Sequence, residues 1–234
     1  MAAAATTISI ERALNDFLAE QRGRLADSSF RQYLQVVDLL RSSLNNYAHD
    51  GLSERERRLF TEAYDAGDEQ AFCHLFGPEK IPEHLGSFLG YFMVRKVFAG
   101  RELLRASGTV TRRLVEWLER EGFIEAAVAT AAVERAKVAA RDLPRADRLE
   151  ELLAGLTDAD LPVGLEQLAD DCFVEDFLPI ERVEPGALWF ERGIGPVAVP
   201  KAASELAEVG WEVNVVLART ASGWRLLEVG CVYP

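Results

Sequence analysis

The run SGTVTRRLVEWLEREGFI, residues 107–124, decides how the first half of the chain is read. Val110, Leu114, Trp117 and Leu118 recur at helical spacing and form one apolar stripe, while Arg112, Arg113, Glu116, Glu119 and Arg120 lie mostly away from it. Ser107 or Thr109 is expected to cap the start, and Gly122 to take the left-handed conformation that ends the helix. The run therefore reads as a basic amphipathic helix that closes a helical unit.

Upstream of it the same period repeats. Ser9 opens a helix with Ile10, Leu14, Phe17 and Leu18 on one face and Gly23 at its end. Ser28 opens the next, striped by Phe30, Tyr33, Leu34, Val37, Leu40 and Leu44, so the pair predicts a helical hairpin. Ser53-Glu54-Arg55-Glu56 is a capping box, followed by a helix with Leu59, Phe60 and Tyr64 as apolar positions. Leu85, Phe88, Leu89, Phe92 and Val97 mark another buried helix, and Gly100 and Gly108 bracket a short helical turn before residue 107.

Downstream, residues 125–156 are alanine-rich and helical, with a break expected at Pro144; alanine favours helix but supplies little core, so the segment reads as a connector or a flat packing helix. Composition shifts again at Asp158-Ala159-Asp160-Leu161-Pro162. Strands are predicted over residues 173–183, 187–190, 194–199, 211–219 and 224–232, with a short helix over 201–208. The expected fold is α+β: a helical bundle over residues 1–124, a helical connector over 125–160, and a small antiparallel β-barrel of SH3-like or OB-like form over 161–234.

Composition suits a folded protein, with 49% apolar and 27% charged residues. Three widely spaced cysteines, Cys73, Cys172 and Cys231, form neither a disulfide framework nor a zinc motif, so a reducing cytoplasm is the expected location. The opening MAAAATTISI lacks the basic flank and apolar length of a secretion signal, and no run is long enough to span a bilayer. The net charge of −12 is uneven: residues 8–124 carry −2, while residues 150–234 carry −11. The acidity therefore says little about the N-terminal helices.

Reactive constellations are missing. His49, His74 and His84 are scattered, and adjacent Cys73 and His74 point to different helix faces. No phosphate loop or nucleophile elbow occurs. Asp170, Asp171, Glu175 and Asp176 read first as solvated surface, with carboxylate chemistry a distant option. Trp189, Trp211 and Trp224 are expected in the barrel core. One feature concentrates a single charge on helices: Arg95, Lys96, Arg101, Arg105, Arg112 and Arg113, with Thr109 and Thr111 as hydroxyl donors, form a candidate phosphate-binding set. A solvated face laced with ion pairs such as Arg112 with Glu116 explains the same residues.

The stretches ISIERALNDFLAEQRGRLADSSFRQYLQVVDLL, HLGSFLGYFMVRKVF and TVTRRLVEWLEREGFI together resemble the N-terminal, SAM-like core-binding domain of tyrosine recombinases and phage integrases. That resemblance implies a helical domain that clamps DNA. The family's catalytic domain, with His-x-x-Arg and a nucleophilic Tyr, has no counterpart here: Leu52, Gly77 and Ser87 stand three positions after the histidines. Residues 102–124 are also similar to the helix-turn-helix of winged regulators, yet an alanine-rich helix stands where the wing should follow. The expectation is a non-enzymatic protein without cofactor or metal, associated with double-stranded DNA through the basic helical face, with a protein partner on the barrel. A protein-interaction scaffold that binds no nucleic acid is the alternative.

Overall fold

The computed structural model describes residues 8–97, 99–157 and 168–234. The boundary read at residues 158–162 lies outside the described residues, as does the side chain of Asp170. The chain divides into two compact units, Met1–Ala140 and Arg141–Pro234, rather than two domains and a connector.

The first unit is helical. α1 (Ile10–Arg22) starts where Ser9 Oγ accepts the Arg12 amide at 3.2 Å, and it buries Ile10, Leu14, Phe17 and Leu18. α2 (Asp27–Tyr47) buries Val36, Val37, Leu40 and Leu44. α3 (Glu54–Asp65) carries the expected capping box, but of its three apolar positions only Phe60 is buried; Leu59 and Tyr64 face outward. α4 (Ala71–Leu75) and α5 (Ile81–Ser87) follow, and α5 runs through a π-helical turn, Phe88–Phe92, into α6 (Met93–Arg95).

α7 spans Arg101–Arg120, with Gly100 at its N-cap and Gly122 beyond its end at φ 78°. The short turn expected between Gly100 and Gly108 is therefore the first two turns of a continuous helix. Gly108 is a packing residue and not a breaker: a Cβ there would fall 2.4 Å from the Ala140 amide nitrogen and 2.6 Å from the Ala136 carbonyl oxygen. Glycine inside a helix is tolerated where another backbone comes this close. The stripe of Val110, Leu114, Trp117 and Leu118 is buried as read, and Ser107, Thr111 and Val115 are buried too.

α8 (Ala126–Thr157) is unbroken, with Pro144 inside it. A mid-helix proline lacks the amide that the carbonyl four residues earlier would accept, here Ala140, so the helix continues at the loss of one hydrogen bond. Of the two expectations for this segment, burial favours the packing helix over the connector. Ala129, Ala132 and Ala136 are buried in the first unit; Ala146, Leu149 and Leu153 belong to the core of the second.

The second unit holds β1 (Phe173–Glu184), β2 (Ala187–Phe190), β3 (Ile194–Ala198), α9 (Lys201–Leu206), β4 (Glu212–Thr220) and β5 (Gly223–Tyr233), close to the predicted bounds. They form a five-stranded mixed sheet in the order β1-β2-β3-β5-β4, with β4 pairing back on β1. A wholly antiparallel arrangement was expected, and parity forbids it: an odd ring of pairings cannot alternate direction at every step. The parallel step is β3 with β5, at Val197 and Trp224. Leu178, Ile180, Leu188, Phe190, Val213 and Leu217 fill the interior with Leu149 and Leu153 of α8. On α8, Asp142 is 2% exposed and pairs with Arg141 and Arg145, while Arg145 also binds Glu208 and donates to the Leu206 carbonyl at 3.0 Å. A carboxylate this deep is tolerated because guanidiniums surround it.

Candidate nucleic-acid interface

α7 lies along α2, and its outer side leaves two adjoining hollows of about 280 and 310 Å³ that share Tyr33 of α2. Gln32, Glu102, Arg105 and Thr109 line the first; Arg24, Arg113, Glu116 and Arg120 line the second. The helical period places Arg105, Thr109, Arg113 and Arg120 on this side because the opposite side of α7 is committed to the core. Beneath the hollows, Trp117 and Tyr33 both pack against Phe17, with ring centroids 5.8 and 6.0 Å away.

Charge along this face is shared unequally. Glu116 accepts from Arg112 at 3.1 Å and from Arg113 at 3.0 Å. Glu20 pairs with Arg24 at 2.7 Å and with Arg120, and it also accepts the Trp117 indole N–H at 3.0 Å. Two carboxylates thus serve four guanidiniums, with Glu121 giving Arg120 a second partner at 3.0 Å. Those hydrogen bonds, to Glu121 first and Glu20 next, raise the Arg120 pKa. Among the described residues Arg105 has no ion pair. Burial pushes the Tyr33 phenol up, against the opposing pull of Arg113 and Arg112, so it stays protonated and able to donate.

The eight sequence-predicted residues do not form one site. Arg105, Thr109 and Arg113 line the hollows, and Arg112 stands beside them on Glu116. Thr109 spends its hydroxyl on the Arg105 carbonyl at 3.1 Å. Thr111 is corrected: it is 1% exposed in mid-helix, not a donor at a helix start, and its Oγ1 meets no hydrogen-bond partner among the described residues. Arg95, Lys96 and Arg101 are exposed but line neither hollow; the Lys96 ammonium rests 5.9 Å from the Tyr91 ring centroid. Arg24 and Tyr33 were missed as members of the face. Tyr33 sat in the predicted α2 stripe, and nothing local to Arg24 marks it.

Cys73 is buried, and burial pushes its thiol up to about 12; His74 is exposed and bound to Asp68 at 2.9 Å, so the adjacent pair does diverge. Asp176 is held by Arg192 at 2.7 Å, which lowers its pKa, and Asp171 and Glu175 are exposed. Among the described residues no three His, Cys, Asp or Glu side chains gather to hold a metal ion, and no helix is long and apolar enough to cross a membrane. Trp211 is in the core as expected, whereas Trp189 and Trp224 are half-buried; the Arg182 guanidinium lies 3.8 Å from the Trp189 ring centroid. Compared with models of known protein families, with curated proteins and with solved structures, the chain matches none.

Proposed function

We propose that the protein is a non-enzymatic, cytoplasmic, DNA-associated accessory or regulatory protein that contacts duplex phosphates through the α2–α7 face of its first unit. The observation carrying this reading is the sharing of Glu20 and Glu116 among four arginines, with Arg105 beside them unpaired among the described residues. Such a face presents more guanidinium hydrogen bonds than its own carboxylates absorb, and phosphate oxygens are suited to accept them. The resemblance to a recombinase core-binding domain points the same way. The second unit is read as an OB-like barrel, since β3 parallel to β5 and a helix between β3 and β4 suit that form better than an SH3-like one. Its role is to bind a protein partner or to moderate DNA affinity by repulsion: residues 141–234 carry 18 acidic against 8 basic side chains.

Titration of a labelled duplex with the full chain at several salt concentrations tests the proposal. Binding should weaken steeply with salt and should drop further in the Arg105→Ala, Arg113→Ala double variant. Absence of binding at about 50 mM salt, or binding indifferent to salt, defeats it.

A scaffold that binds no nucleic acid is the second reading. The engagement of Arg112 and Arg113 with Glu116 favours it, because a guanidinium must loosen one carboxylate before it grips a phosphate.

A further inference from the structure

A separate cleft of about 510 Å³ opens on the other side of α2, between α2, the end of α3 and the start of α4. That volume lies within the usual range for small-molecule sites, roughly 300–1,000 Å³. Its walls include Arg41, Asn45, Asn46, Tyr64, Glu69 and Gln70. Three features define what it can hold.

The first is a stack of rings. His49 lies against Phe60 with centroids 5.3 Å apart and planes 6° from parallel, and Phe60 lies against Tyr64 at 5.9 Å and 24°. Tyr64 is the outer member, 53% exposed, and it lines the cleft. An aromatic held flat by two rings behind it is a platform for another flat ring.

The second is a set of planar amides. Asn45 is 8% exposed and committed to Cys73: its Oδ1 accepts the backbone amide at 3.0 Å, and its side chain also hydrogen-bonds the thiol, so it walls the cleft without offering a free edge. Asn46 donates from Nδ2 to the Ser42 carbonyl at 2.8 Å and keeps its Oδ1. The Gln70 side-chain amide has no partner among the described residues. Donors and acceptors on rigid planar groups match the edges of a nucleobase.

The third is charge. Arg41 is the cleft's only lining cation among the described residues, and all three of its nitrogens are engaged, with Glu11 at 2.9 Å, Asp38 at 2.7 Å and the Asn15 Oδ1 at 2.7 Å. Glu69 has no ion pair among the described residues. The single lining cation is already matched by Glu11 and Asp38, so a phosphate entering here adds to the uncompensated charge of Glu69, and the cleft disfavours it.

We propose that this cleft binds an uncharged nucleobase carried on a nucleoside, with the base on Tyr64, its edge toward Asn46 and Gln70, and no phosphate tolerated beside Glu69. The proposal is independent of the phosphate-binding face on α7. Calorimetric titration of the full chain with adenosine, cytidine, AMP and maltose tests it. At least one nucleoside should bind saturably with a Kd below about 1 mM, and AMP should bind more weakly than adenosine. Tyr64→Ala should weaken nucleoside binding by about five- to one hundred-fold, as loss of one aromatic stacking partner does, while Tyr64→Phe retains it. Glu69→Gln should narrow the gap between AMP and adenosine. Since Tyr64 and Glu69 are exposed, these variants remove no buried side chain, and Tyr64→Phe keeps the ring that packs on Phe60. The proposal is overturned if neither nucleoside binds, if maltose binds as well as adenosine, or if Tyr64→Ala leaves affinity unchanged.

Discussion

Thr111 and Gly108 show how little residue type says about role until packing is known. Thr111 carries a hydroxyl of the kind that binds phosphate, yet it is buried and without a hydrogen-bond partner among the described residues. A buried hydroxyl without a partner costs about 1–3 kcal/mol, so Thr111→Val, which keeps the shape, should raise stability by about 1 kcal/mol in urea unfolding and leave any DNA affinity unchanged. A loss of stability above about 1 kcal/mol in that variant means the hydroxyl has a partner. Gly108 makes the opposite case. Its missing side chain lets α7 meet the Ala136–Ala140 backbone of α8, and backbone atoms cannot swing aside. Gly108→Ala should destabilise the first unit by about 1–3 kcal/mol, whereas Gly155→Ala, on the open part of α8, should be neutral or stabilising by up to about 1 kcal/mol. Equal midpoints for the two variants contradict the close-approach reading.

At the level of elements, α8 departs furthest from expectation. Its alanines suggest a connector or a flat packing helix, and its proline a break. The helix is continuous and buries small side chains where the first unit presses on it, and larger ones, Leu149 and Leu153, where the sheet needs filling. Small residues are what close helix packing selects, so a low apolar volume per residue was misleading as a sign of exposure. Leu149 is fully buried, and Leu149→Ala should destabilise the second unit by about 2–5 kcal/mol, as truncation of a core leucine does. Thermal unfolding with the tryptophan signal of the sheet reads this out; a change below about 0.5 kcal/mol restores the connector. The strands, by contrast, were legible almost residue by residue. Period-two burial within Trp211–Leu217, together with turn residues such as Glu184-Pro185-Gly186, leaves little freedom in where a strand starts and stops.

For the whole molecule, a net charge of −12 sets the conditions under which any phosphate contact can act. If four arginines of the α2–α7 face each meet a phosphate, the logarithm of affinity should fall with the logarithm of salt at a slope near −3.6, or about a hundred-fold between 50 and 200 mM. A slope near zero removes the phosphate contacts from the mechanism. Sequence alone determined most of the local order of this protein: where the strands run, where α1 begins, which stripe of α7 is buried, and that acidity concentrates after residue 150, because periodicity, capping and turn chemistry act over a few neighbouring residues. Tertiary structure decided the rest. It set the parallel step of β3 with β5, which follows from closing an odd ring of strands. It made α8 core and not connector. It also divided the basic set, keeping Arg105 and Arg113 on one face and adding Arg24 from outside the set, leaving Arg95 and Lys96 off it and sealing Thr111 inside, because a charge or hydroxyl takes its role from neighbours that are remote along the chain.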